Sequence, residues 1–253
     1  MKKIILFLLV FFVFCRAVEA NLSVSPSRID LLMEAGGYYS GCFELINTYD
    51  GIVEINIAAK DWHSYAGNGA HDVNSWLVLE KTKVKLAKDE STEIPYKITV
   101  SSSMLGSVSA QVSFTLVPPG NEGVNVRMSF PIYVVIKGTE KIDYSVSKIT
   151  FHKYNDDIQA AFFVKNDGNI HVRPKGLMKI YGKKNKIVYE RNIPESVPVY
   201  AGTERGSYRV LIPKGKLQTG LYTVEITVSA SGITADKKVK LKINKDGSFQ
   251  TLK

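Results

Sequence analysis

The chain has 253 residues, with 33 Lys and Arg against 24 Asp and Glu, two cysteines, 45% hydrophobic residues and 10% aromatics. That composition excludes a disordered tail, a disulfide-knotted miniprotein and a multi-span membrane protein. At roughly 100 to 150 residues per domain, the length fits two modest domains, each able to bury its own core. The formal net charge of +9 bears on solubility and non-specific binding rather than on fold.

Lys2 and Lys3 precede an unbroken apolar run from Ile4 to Phe14, followed by Arg16 and by Val18-Glu19-Ala20. A basic start, a short apolar centre and small residues at the cleavage positions predict a signal peptide over residues 1–20, cut after Ala20. The run is shorter than the ~20 apolar residues a spanning helix needs, and no second span follows. The mature chain is therefore expected in the periplasm or outside the cell, without a transmembrane span. Acylation of Cys15 as a lipoprotein is disfavoured by bulky Phe14, which sits where such signals want a small side chain. Cleavage removes Cys15, so Cys42 has no partner in the chain and the fold must hold by packing alone. No Cys-His signature surrounds Ser40-Gly41-Cys42-Phe43-Glu44, and Cys42 reads as a small, semi-buried strand residue.

The remainder reads as strands. Alternating or β-branched runs span Tyr39 to Ile46, Val53 to Ala58, Trp76 to Leu79, Glu93 to Val100, Ala110 to Val117 and Val124 to Ile136. Asp50-Gly51 and Gly67-Asn68-Gly69 supply turns between them. A second series covers Tyr144 to Phe151, Ile158 to Lys165, His171 to Tyr181, Ile187 to Arg191, Gly206 to Ile212, Tyr222 to Ser229 and Val239 to Ile243. About seven short strands per hundred residues predict an all-β chain of two immunoglobulin-like β-sandwiches in tandem, over residues 21–140 and 141–245, with 246–253 as a tail. Gly220-Leu221-Tyr222 fits the tyrosine that opens the penultimate strand of that fold.

Over residues 21–140 the order of motifs resembles the PapD-like periplasmic pilus chaperones. The first strand is Leu22-Ser23-Val24-Ser25-Pro26-Ser27-Arg28-Ile29 and the second Phe43-Glu44-Leu45-Ile46-Asn47. Trp76-Leu77 and Leu86-Ala87-Lys88-Asp89-Glu90-Ser91 follow, and Phe114-Thr115-Leu116-Val117-Pro118-Pro119 leads into the long strand from Val124. The resemblance implies an extracytoplasmic chaperone for pilus or surface-fibre assembly, whose partner is a subunit with an incomplete β-sandwich or an exposed strand edge. It also implies that the long strand lends its edge to the partner. Val124, Val126, Met128 and Phe130 share one face of that strand at a period of two, a pattern any half-buried strand also shows. The family anchors a subunit's terminal carboxylate with an Arg on the first strand and a Lys on the seventh. Arg28 matches the first and would bind partner; an ion pair with Asp30 or Glu34 is its alternative role. The second position holds Pro131 or Tyr133, and the nearest strand cations, Arg127 and Lys137, do not match it.

The second domain reads as a generic bacterial immunoglobulin-like module. Asn166-Asp167-Gly168-Asn169 is expected to be a tight turn between two strands, and His171 a strand-surface residue. Residues 21–140 carry 9 basic and 13 acidic residues and residues 141–253 carry 21 and 10, so the excess charge belongs to the second domain. Lys183, Lys184, Lys186, Lys237, Lys238 and Lys240 are its candidate polyanion-binding residues. They support an alternative function, a structural or adhesive module binding an anionic polymer or a protein of the cell envelope. A strand with one solvated cationic face is the simpler account of Lys237 to Lys242. Nucleic acid is not an expected partner, because no basic motif is interleaved with aromatics. Asp61, His63, His71 and Asp72 lack metal-ligand spacing, and no triad, carboxylate pair or phosphate loop appears. The chain is accordingly expected to hold no metal or cofactor and not to be an enzyme.

Overall fold

The structure, a computed structural model, describes residues 22–64, 67, 72–117, 125–195 and 197–252. The signal-peptide region and Val124 lie outside the described residues. The chain folds as two β-sandwiches, each with its own buried core.

The first sandwich is built from β1 (Leu22–Ser25), β2 (Ile29–Met33), β3 (Tyr38–Asn47), β4 (Val53–Asp61), β5 (Leu77–Leu79), β6 (Lys83–Leu86), β7 (Ser91–Thr99), β8 (Ser107–Val117) and β9 (Val126–Ile136). One sheet has the order β1-β3-β7-β5 and the other β2-β9-β8-β4-β6. Alternation decides which face is buried. Ile94, Tyr96 and Ile98 of β7 point inward between exposed Glu93, Lys97 and Thr99, and Val53, Ile55 and Ile57 of β4 do the same. Phe43 meets Phe114 edge to face at 5.4 Å and lies 5.2 Å from Tyr96 at the centre. Each fully buried side chain of this size contributes about 1.5–3 kcal/mol.

The first strand of the sequence divides. β1 pairs antiparallel with β3 in one sheet, and after Pro26 the chain crosses so that β2 pairs parallel with β9 in the other. Proline has no N–H to give to a ladder, which suits a crossing point.

The second sandwich comprises β10 (Tyr144–Tyr154), β11 (Asp157–Asn166), β12 (Lys175–Tyr181), β13 (Ile187–Ile193), β14 (Glu204–Ile212), β15 (Gly220–Ala230), β16 (Ile233–Ile243) and β17 (Phe249–Leu252). Its sheets have the orders β10-β11-β14 and β13-β12-β15-β16-β17. Phe162 and Tyr208 stack at 4.8 Å in its core. Tyr222 closes a tyrosine corner, its hydroxyl accepting from the Gln218 N–H at 3.0 Å and donating to the Gln218 carbonyl at 2.9 Å.

Four local expectations are corrected. Residues 246–253 are not a free tail, because β17 pairs with β16 across a turn in which the Asn244 N–H donates to the Ser248 carbonyl. His171 to Pro174 are not strand. Val172 makes one isolated bridge to Val199, and Pro174 delays the ladder until Lys175. Asn166-Asp167-Gly168-Asn169 is not a hairpin turn; the Asp167 and Gly168 amides donate to the Asp143 carbonyl instead. Cys42, expected to be semi-buried, is exposed on β3 opposite Pro95.

Candidate functional site: a free strand edge beside the cleft between the sandwiches

Strand β9 is covered unevenly. Along one side it pairs with β8 from Val126 to Val135, whereas on the other side β2 covers only Ile132 to Ile136. Because β1 has gone to the opposite sheet, nothing among the described residues pairs with the outer side of Val126 to Phe130. The orientation of the main chain follows from two bonds: the Ile136 N–H donates to Gly106 on the β8 side, and the Lys137 N–H donates to Met33 on the β2 side. Alternation then turns the even positions toward β8 and the odd ones outward. The amides and carbonyls of Arg127 and Ser129 therefore face the open edge, while the Pro131 carbonyl lies where the parallel pairing with Ile29 begins. Pro131 falls at an outward position, where its missing N–H costs the β8 ladder nothing.

The side chains of the expected binding stripe face inward. Val126 and Met128 are half-buried against the first core, and Phe130 is 9% exposed and 5.9 Å from Phe114. The alternation thus describes a half-buried strand, and what lies open is its main chain. Arg127 reaches back to donate to Ser113 Oγ at 2.8 Å, and Lys137 pairs with Glu34 at 2.6 Å.

Where the pairing with β2 begins, the second sandwich covers β9. Tyr133 points away from the first core yet is only 3% exposed. Its ring lies 4.4 Å from that of His171, its hydroxyl is 3.2 Å from the Tyr200 hydroxyl, and the Arg173 guanidinium sits 5.1 Å from its centroid. Tyr200 also accepts from Trp62 Nε1 at 2.7 Å and stacks on His63 at 4.2 Å. His63 holds a left-handed backbone at φ 63, a conformation that costs a non-glycine residue about 1 kcal/mol. The loop carrying Trp62 and His63 is tied to the main chain of β8 just past the end of β4: Ser64 Oγ accepts from the Ser109 N–H, and the Trp62 N–H donates to the Ser109 carbonyl. A second joint forms where Asn169 accepts from the Lys141 N–H and donates to the Thr139 carbonyl. Gly106 is required there, since its φ is +67 and a Cβ would stand 2.3 Å from the Asn169 carbonyl.

Beside this joint lies a cleft of about 570 Å³ whose walls include Asp30, Leu32, Tyr133, Glu140, His171 and Ser231. Arg28 precedes β2 near its mouth and pairs with Asp30 at 2.5 Å, both side chains being nearly half exposed. Burial first, then Arg173 and Arg28, hold the His171 imidazole down at about 4, with Asp30 opposing. Burial, then the Tyr200 hydroxyl, pushes the Tyr133 phenol well above its usual range. His171 Nδ1 and Arg173 Nε are buried without a hydrogen-bond partner among the described residues.

Arg28 is thus at the cleft, while Val126, Met128 and Phe130 line the adjacent edge; Val124 falls outside the described residues. No sequence signal linked Trp62, Tyr133, His171, Arg173 and Tyr200, since Trp62 and Tyr200 are 138 residues apart. Of the lysine candidates, Lys183, Lys184, Lys186 and Lys240 are exposed, Lys237 is half-buried, and Lys238 pairs with Glu225 at 2.9 Å. Among the described residues no three His, Cys, Asp or Glu side chains are placed to hold a metal; His71 is not described.

No family model matches the sequence, and no curated protein does. Many of the solved structures to which the chain is similar are fimbrial chaperones. The YadV chaperone is 11% identical at a TM-score of 0.47, covering 87% of this chain and 100% of its own. The class 5 fimbriae chaperone CfaA is 16% identical at 0.46, covering 86% and 98%. A complex of CsuC and CsuE, the chaperone and tip adhesion subunit of archaic Csu pili of Acinetobacter baumannii, matches at 13% and 0.43, covering 87% and 98%.

Proposed function

We propose that this chain is an extracytoplasmic chaperone-like protein that binds a subunit of a surface fibre by adding the open edge of β9 to the subunit's incomplete β-sandwich. The observation that carries the reading is the main chain from Arg127 to Ser129, whose outer side no described residue pairs with. A half-buried strand with four open edge groups is an aggregation hazard when unused, and a template when a partner supplies the matching strand. The adjacent half-buried Val126 and Met128 would be covered by the same partner.

The cleft gives the partner strand an end point. Arg28, nearly half exposed beside the cleft residue Asp30, offers a guanidinium to a terminal carboxylate. Asp30 already holds Arg28, but an ion pair this exposed contributes about 0–1 kcal/mol and yields to a better-placed carboxylate.

A photo-crosslinking residue at position 129, expressed in the native envelope, tests the reading. The expected result is one or a few envelope proteins joined at 129 and none joined from a control at exposed Lys81. Failure to join any protein from 129 overturns it.

A further inference from the structure

The second sandwich carries a surface that strand addition does not use. On the outward face of sheet β13-β12-β15-β16-β17, Lys179 stands opposite both Glu190 and Glu225, and Glu225 opposite Lys238. Charges in this middle row are matched, with Lys238 2.9 Å and Lys179 3.9 Å from their carboxylates. The next rows toward the sheet end at Gly220 and Ile243 contain no acid. Tyr181 and Lys240 flank Thr223, and Lys242 stands between Leu221 and Gln250. The turn Lys183–Asn185, Lys186 and the hairpin residue Lys245 fall at the same end. Lys183, Lys184, Lys186, Lys240, Lys242 and Lys245 are all exposed, and none has an acidic partner among the described residues. This end of the sheet is opposite the one, at Ala230 and Ile233, that adjoins the cleft residue Ser231.

Exposed aliphatics are set among these lysines. Ile187 is 44%, Val188 41% and Leu221 52% exposed; Ile187 stands opposite Tyr181 and Leu221 opposite Lys242. A dissolved polyanion gains nothing from exposed Ile, Val and Leu. A bilayer with anionic headgroups gains from both, taking lysines at its phosphates and aliphatic side chains at the boundary beneath them. We propose that this end of the second sandwich is a peripheral docking surface for an anionic phospholipid bilayer. It would hold the protein against the membrane with the β9 edge and the cleft, at the other end of the second sandwich, left free for a partner.

Co-sedimentation of the full mature chain with vesicles tests this. Vesicles of phosphatidylcholine containing about a third phosphatidylglycerol should bind the protein, pure phosphatidylcholine should not, and salt should weaken the binding. Replacing Lys184, Lys240 and Lys242 together by Gln should lower partitioning on the order of 100-fold, at about fivefold per lysine. Ile187→Ser with Leu221→Ser should lower it about tenfold or more while leaving the thermal midpoint unchanged, because both side chains are exposed. Equal binding to both vesicle types, or full binding by the lysine variant, overturns the proposal. So does binding to dextran sulfate that matches the vesicles while the aliphatic variant keeps full vesicle binding, which would mark a site for soluble polyanions.

Discussion

Replacing Ser129 by proline separates the two hydrogen-bonding sides of β9. The Ser129 N–H points to the open edge, so Ser129→Pro removes no bond to β8, and Pro131 shows that the strand accepts proline at an outward position. The expected loss of stability is about 1 kcal/mol or less, from the narrower range of φ. Met128→Pro is the contrasting change. Its N–H faces Phe114 across the ladder and its side chain packs on the first core, so the lost bond, the ring clash and the missing contacts should cost about 3–5 kcal/mol. For partner binding, Ser129→Pro removes one donor and leaves the partner's carbonyl unsatisfied. That costs about 1–3 kcal/mol, or roughly 5- to 150-fold in affinity. Urea unfolding of both variants, and titration with the partner recovered by crosslinking, give the two numbers. Equal destabilisation by the two prolines would refute the assignment of the open side, and unchanged affinity of Ser129→Pro would refute its use.

Three further outcomes follow from the joint between the sandwiches. His171 is held near 4 when folded and returns to about 6.5 unfolded, so between these values the unfolded chain binds the extra proton. Stability should therefore fall as pH drops from about 6.5 to 4, by on the order of 3 kcal/mol at most, and His171→Gln should flatten that slope in urea titrations at each pH. Gly106→Ala forces a Cβ against the Asn169 carbonyl and should loosen the joint, read as a red shift of Trp62 emission; the other tryptophan, Trp76, is 1% exposed in the core and stays silent. Asn166→Ala removes the donor to the Ile170 and Val199 carbonyls and the acceptor of the Gly168 N–H. With all of them buried, it should cost about 3–5 kcal/mol in thermal or urea unfolding.

The strands were legible because alternation is a local property. Val53, Ile55 and Ile57, or Ile94, Tyr96 and Ile98, declare their buried face without knowledge of any neighbour. The open edge was not legible, because it depends on which sheet β1 joins after the crossing at Pro26, and the hydrophobic pattern of Val126 to Phe130 is the same whether or not that edge is paired. The cleft residues were invisible for another reason. Trp62, His171, Arg173 and Tyr200 sit outside the named strands, where no periodicity governs side-chain direction, and Tyr133 looks like an ordinary outward tyrosine until a second sandwich covers it. β17 had a readable signal, Asp246-Gly247 between two apolar stretches, with Gly247 at φ 79. Charge was legible in amount and in domain, but only strand register separates the matched Lys238 from the unmatched Lys240.

The central claim is that the outer side of β9 is open in the free protein and paired in the working complex. Residue-resolved amide exchange measures this directly. In the free chain the Arg127 and Ser129 amides should exchange quickly while those of Met128 and Phe130 stay protected, and the co-purified complex should protect all four. Slow exchange of Arg127 and Ser129 in the free protein, or rapid exchange of both in the complex, would contradict the account.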